Sequence, residues 1–263
     1  MFVEPVGDDG LPLVVLHGGP GLDHTNFRPW LDPLGEDFRV LYVDERGQGR
    51  SERVDPTSLS LEVFARDVDL LAEALELDRF ALLGHSFGAI ITTWHAINVG
   101  TAAAYVISGG GDSSENLMAD VQASLEAMGE AGKPIAESWE WETRVETEED
   151  AAELMRIQSP FHFHGEPPAD FAAGTIYAPH VLRHFANVGY GDFDYTPDLG
   201  KVTKPTLVLV GDHDRVTTPR ANRVLHEGIP NSEYAELPDA GHMSMIEAQD
   251  AYLGHVRDFL RGI

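Results

Sequence analysis

The sequence predicts a chain of the α/β class, with a mostly parallel central sheet covered by helices on both faces and a helical insertion. Three observations carry this. Short β-favouring apolar runs of buried-strand length recur along the chain, each bounded by Gly or Asp. An amphipathic helical stretch lies between two of them, and strands apolar on both faces need helices on both sides. The pattern then lapses over residues 112–198 and resumes afterwards.

The first run is Leu13-Val14-Val15-Leu16, followed by Arg39-Val40-Leu41-Tyr42-Val43. A helix is predicted over 61–75, because Leu61, Phe64, Val68, Leu71 and Leu75 recur at three- and four-residue steps along one face. Phe80-Ala81-Leu82-Leu83 is the third strand, a helix begins near Ala89, and Ala104-Tyr105-Val106-Ile107 is the fourth strand. In the insertion, acidic helical segments over 115–130 and 147–157 alternate with Gly/Pro/His/aromatic stretches such as Ser159-Pro160-Phe161-His162-Phe163-His164-Gly165, which read as irregular. Strands over 205–210 and 232–237 and helices over 222–227 and 251–260 complete the pattern. The expected organisation is a core of residues 1–111 and 199–263, with 112–198 as a cap above the strand ends.

Bulk properties narrow the function. The 263 residues suffice for one well-buried domain with a modest insertion. With 44 acids against 18 bases the formal charge is −26, a surface that repels phosphate backbones, so nucleic-acid binding is not expected. Such a surface attracts cationic ligands, including a substrate with a free amino terminus, although solubility is its plainer role. No apolar run approaches a membrane span and no secretory signal is visible. The absence of cysteine excludes disulfides and a thiol nucleophile, and suits a cytoplasmic setting.

The motif that carries chemistry is Gly84-His85-Ser86-Phe87-Gly88, placed between a strand and a helix. A strand turning at once into a helix lifts the central hydroxyl out of the turn, over a helix N-terminus that favours negative charge. Ser86 is therefore the expected nucleophile. His17-Gly18-Gly19-Pro20-Gly21 follows the first strand, and its glycines let backbone N–H groups approach a substrate. Gly19 and Phe87 are the expected oxyanion donors, and the Gly19-Pro20 bond is a candidate for the cis form. The acid should follow in the loop Gly211-Asp212-His213-Asp214, where Asp214 is the expected triad member and Asp212 a turn-former. His242, between the last strand and the last helix, is the expected base. His162 and His164, and His180 and His184, have spacings that suit a metal. No third partner stands at a familiar distance, so neither a metal site nor a cofactor is expected.

Together with Asp44-Glu45-Arg46-Gly47-Gln48-Gly49-Arg50-Ser51 and Gly241-His242, these motifs resemble the α/β-hydrolase superfamily, and within it the proline iminopeptidase group. The resemblance covers the sheet domain from Leu13 onward. It implies a serine aminopeptidase that releases N-terminal residues from small peptides, with cap carboxylates holding the substrate ammonium. Ser138-Trp139-Glu140-Trp141-Glu142 is similar to that group's cap Trp-Glu, which nominates Glu142, with Glu140 as the alternative. Gly-His-Ser-Phe-Gly departs from the group's Gly-Gly-Ser-Trp-Gly, Gln48 stands where cysteine is usual, and the antiparallel edge is expected to be abbreviated. A carboxylesterase acting on small acyl esters and a non-catalytic binding protein on the same fold are the competing readings.

Overall fold

The computed structural model describes residues 1–263. Its strands are β1 (Phe2–Val6), β2 (Pro12–Leu16), β3 (Arg39–Asp44), β4 (Ala81–His85), β5 (Ala104–Ser108), β6 (Thr206–Gly211) and β7 (Ser232–Leu237). They form one sheet in the order β1-β3-β2-β4-β5-β6-β7. Every neighbouring pair is parallel except β1 with β3. The antiparallel edge is thus the single strand β1, whose Glu4 and Pro5 are tolerable at a partly solvated edge. No helix is long and apolar enough to cross a membrane.

The helices are α1 (Leu61–Ala74), α2 (Phe87–Asn98), α3 (Ser114–Met128), α4 (Gly132–Glu142), α5 (Glu148–His162), α6 (Pro179–Asn187), α7 (Pro219–Gly228), α8 (Ser244–Glu247) and α9 (Gln249–Arg261). Because successive strand side chains point to opposite faces, the strands feed two cores. Val14, Leu82, Tyr105 and Val208 pack with α1 and α2 on one face. Leu13, Leu83, Val106 and Leu209 pack with Tyr252, Val256 and Leu260 of α9 on the other. α1 starts where Ser60 accepts the Val63 N–H at 3.2 Å, satisfying one of the N–H groups its first turn leaves free.

Between β5 and β6 the chain makes helices α3 to α6 and no strand. Its entry and exit lie side by side: Tyr195 N–H donates to Asp112 O at 2.9 Å and Ser114 N–H to Phe193 O at 2.8 Å. One sequence expectation is corrected here. Ser159-Pro160-Phe161-His162 is not irregular but forms the last turn of α5. Pro160 removes one bond of the helical ladder, but only Phe161 and His162 of α5 follow it, so the helix loses little before it ends. α5 begins with a capping box between Thr147 and Asp150.

Candidate active site

β4 runs straight into α2, and Ser86 occupies the corner at φ 55°, ψ −118°. A side chain on Gly84 would strike Gly88 O and Thr92 Oγ1, and one on Gly88 would strike the carbonyls of Leu16 and His17. Both glycines are therefore what allows α2 to approach β4 and β2. Ser86 N–H donates to Ser108 O at 3.0 Å, fixing the corner to β5. The side chain is only half-buried and opens into a cavity above the sheet.

Asp214 and His242 come from the loops after β6 and β7 and meet beside that cavity. His242 Nδ1 lies 2.9 Å from Asp214 Oδ2. Asp214 Oδ1 accepts the N–H groups of Val216 (2.8 Å) and Thr217 (3.0 Å), and the Thr217 hydroxyl donates to Oδ2 at 2.9 Å. A carboxylate so supplied with donors is held in one orientation. Asp212 instead accepts the Ala240 N–H at 3.2 Å, so it bridges the two loops rather than bonding backbone within its own turn. Gly109, at φ +57°, passes beneath: a Cβ there would sit 2.9 Å from Thr217 Oγ1 and 3.4 Å from both Asp214 Oδ2 and His242 Cε1.

Two further imidazoles flank His242. The ring centroids of His85 and His242 are 4.7 Å apart, and those of His162 and His242 are 5.6 Å apart. Burial, reinforced by His242, pushes His85 well below the ordinary histidine range, and the same causes lower His162 to about 4. Both rings are thus neutral at physiological pH, and neither sets a positive charge against a protonated His242.

The loop 17–21 crosses directly over the serine, since a Cβ on Gly18 would lie 3.1 Å from Ser86 Cβ. Gly19 takes φ +117°, open in practice only to glycine, and the Gly19-Pro20 bond is cis. The loop is tied from behind. Gln48 Oε1 accepts the Gly21 N–H at 2.5 Å, Gln48 Nε2 donates to Glu45 Oε2 at 3.0 Å, and that oxygen lies 2.8 Å from His17 Nε2. Burial works against a charged His17, but Glu45 outweighs it and holds the imidazole up at about 9; burial likewise pushes Glu45 upward.

Gly19, Ser86, Phe87 and His242 share the cavity with Glu142 at the end of α4. The walls between are largely apolar, including Ile90, Leu117, Val121 and Trp139. Glu142 is 4% exposed; Gln158 Nε2 donates to its Oε1 at 2.6 Å and the Tyr190 hydroxyl donates to its Oε2. Burial raises its carboxyl to about 7, against the two hydrogen bonds. Glu140 is corrected: it lies on the exposed side of α4 and does not line the cavity, because two residues along a helix turn a side chain to the opposite face.

Sequence reasoning missed Gln158 and Tyr190 as partners of Glu142, and Thr217 as a second donor to Asp214. No local motif marks the first two, which reach Glu142 from α5 and from the loop after α6. Thr217 could have been suspected, since a loop aspartate commonly bonds backbone N–H groups two and three residues on, as Asp214 does with Val216 and Thr217. His162 and His164 part company, the first facing the cavity and the second facing solvent.

A family model described as the alpha/beta hydrolase fold matches residues 12–249. The protein named proline iminopeptidase of Saccharolobus solfataricus is 28% identical over 282 residues, covering 94% of this chain and 84% of its own. The solved structure of a proline iminopeptidase from Mycobacterium smegmatis is similar with a TM-score of 0.80 at 20% identity, covering 99% and 94% of the two chains. An esterase from Exiguobacterium antarcticum is similar with a TM-score of 0.77 at 20% identity, covering 99% and 95%.

Proposed function

This chain belongs to the alpha/beta hydrolase fold family, and from that premise we propose that it is a serine aminopeptidase that releases N-terminal residues, proline among them, from short peptides. The observation that carries the reading is Glu142, a buried carboxylate in the same apolar cavity as Ser86. A buried carboxylate without a cation is costly, and a substrate ammonium is the partner that would compensate it. The apolar wall at Trp139 suits a pyrrolidine ring, whose secondary ammonium still offers two N–H donors. In this reading residues 112–198 act as the cap that selects the substrate. The relative from Saccharolobus solfataricus, named proline iminopeptidase, supports the same assignment.

The mechanism is acyl transfer. Ser86 Oγ attacks the carbonyl carbon while His242 Nε2 takes its proton, and Asp214 accepts the Nδ1–H bond and stabilises the imidazolium. The Gly19 and Phe87 N–H groups, the latter at the first turn of α2, receive the oxyanion. His242 then gives its proton to the leaving amine and collects one from the water that hydrolyses the acyl-enzyme. The neutral state of His85 and His162 leaves His242 free to become the only imidazolium lining the cavity.

The test is a panel of a prolyl arylamide, its N-acetylated form and a short-chain nitrophenyl ester, on wild type and Ser86→Ala. The expected result is cleavage of the free-amine arylamide far above its acetylated form, abolished with phosphonate labelling in Ser86→Ala. Equal cleavage with and without the amine, or cleavage of the ester alone, would overturn the peptidase. Near wild-type turnover in Ser86→Ala would overturn the nucleophile.

A further inference from the structure

Where α5 leaves the cavity, the chain surfaces at His164, whose ring lies flat on that of His213. Their centroids are 3.8 Å apart and their planes 8° from parallel. Asp239 completes a group in which one ring nitrogen from each histidine and one carboxylate oxygen all lie within 4.8 Å of one another. We infer that His164, His213 and Asp239 form a surface site for a divalent transition-metal ion of the zinc type, open on its solvent side for a water ligand. No metal was expected from spacing, because His162-x-His164 has no partner nearby in sequence; the fold brings its partners from two distant loops.

The donor set decides the class of ion. The two imidazoles are borderline ligands that suit zinc, nickel or copper, and zinc also accepts a carboxylate oxygen beside them, whereas magnesium and calcium demand oxygen throughout. Two nitrogens bound at ~2.1 Å around a tetrahedral ion stand about 3.4 Å apart; the stacked rings hold their in-plane lone pairs side by side, so binding turns the two exposed imidazoles out of the stack until those lone pairs converge on the ion. Without an ion, this stack repels itself whenever both rings are protonated. With one, both nitrogens donate to a single cation.

The backbone under the three ligands is already assembled. Glu247 accepts the N–H groups of His164 (3.2 Å), Gly165 (2.7 Å) and Gly241 (2.7 Å). His213 N–H donates to Ala240 O at 2.9 Å, and Ala240 N–H donates to Asp212 at 3.2 Å. Asp212 also stands 3.9 Å from His213 Nε2, adding a second carboxylate at the rim. Arg215, two residues after His213, donates to the carbonyls of Pro160 (3.2 Å) and Phe163 (3.0 Å). Each ligand stands close in sequence to a residue in or beside the cavity: His164 two after His162, His213 just before Asp214, and Asp239 three before His242. An ion here would clamp the end of α5 to both loops.

The experiment is calorimetric titration of tag-free protein with zinc chloride, paired with thermal unfolding in the same buffer. Wild type is expected to bind about one equivalent per chain saturably, and Tm to rise by several degrees at about 100-fold excess over Kd. His164→Ala and Asp239→Asn should each weaken binding by at least about 10-fold and remove the Tm rise, with metal-free turnover unchanged. Absence of saturable binding up to about 1 mM zinc would overturn the site. So would undiminished one-to-one binding in both variants, including zinc held instead by His85, His162 and His242 and seen as inhibition that the variants do not relieve. These readouts are binding and unfolding, so they stand or fall apart from the peptidase reading.

Discussion

Glu142 answers to two opposed demands, and their balance is measurable. Burial favours its neutral form, while the Tyr190 and Gln158 donors and any bound ammonium favour its charged one. Its folded carboxyl titrates near 7 against an ordinary 4.5, so the folded state holds a proton that the unfolded state has lost between those values. Stability from this group is therefore complete below about pH 4.5 and is lost as pH rises through about 7, a decline on the order of 3 kcal/mol. Denaturant unfolding between pH 5 and 8 should show wild type losing this stability relative to Glu142→Gln, the contributions of groups common to both, His17 among them, cancelling in the difference; parallel curves would place the titration elsewhere. The catalytic counterpart has the opposite sense. kcat/KM for a free-amine substrate, divided by that for an ester, should fall as pH drops below about 7, the division cancelling any titration within the triad. At this scale the sequence was legible wherever chemistry is local. Ser86, Asp214 and His242 could be nominated from the turns around them, and the structure brings Asp214 to 2.9 Å from His242 beside the cavity that Ser86 lines. Tyr190 and Gln158 do not, because their meeting with Glu142 is made by tertiary packing alone.

At the scale of elements, the loop above Ser86 is only as rigid as its tether. Gln48 satisfies the Gly21 N–H and at the same time anchors to Glu45, which holds His17. Its amide offers an acceptor and a donor in one plane, so it can join the loop to the ion pair behind it. Gln48→Ala should leave the buried Gly21 N–H unpaired and cost roughly 1–3 kcal/mol of stability. Its kinetic mark should be a fall in kcat of about 10-fold or more with a much smaller change in KM, because an oxyanion donor acts on the transition state. A change confined to KM would mean that the loop binds substrate without serving the reaction. The buried strands and α1 were legible because their periodicity is their burial. β1 was not, since Glu4 and Pro5 on a half-covered edge make no apolar run. The end of α5 was misread because Pro160 signals a break that the packing of Phe161 against Trp139 overrides, the rings meeting edge to face at 4.9 Å.

For the whole molecule, charge is the dominant property. With 44 acids and 18 Lys and Arg, even complete pairing leaves 26 acids without a basic partner (44 − 18 = 26). Compacting them costs energy that salt screens, the Debye length shrinking from ~30 Å at 0.01 M to ~10 Å at 0.1 M. Tm should therefore rise by several degrees between about 10 and 500 mM sodium chloride, read by calorimetry at pH 8. A flat or falling response would show that the acids are already compensated within the fold. The same field concentrates cations near the surface, which would assist both the proposed ammonium substrate and the proposed metal at His164.

The bonds of Glu247 bear on how this protein could be rebuilt. One carboxylate at the end of α8 gathers N–H groups from the segment after α5 and from the loop of His242. Arg215, from the loop of Asp214, reaches the carbonyls of Pro160 and Phe163. A transplant of residues 112–198 onto another sheet would carry four helices and leave both of those side chains behind. Residues 112–198 are thus not a detachable cassette: Arg215 and Glu247 tie them to the loops after the strands, and a chimera has to keep both.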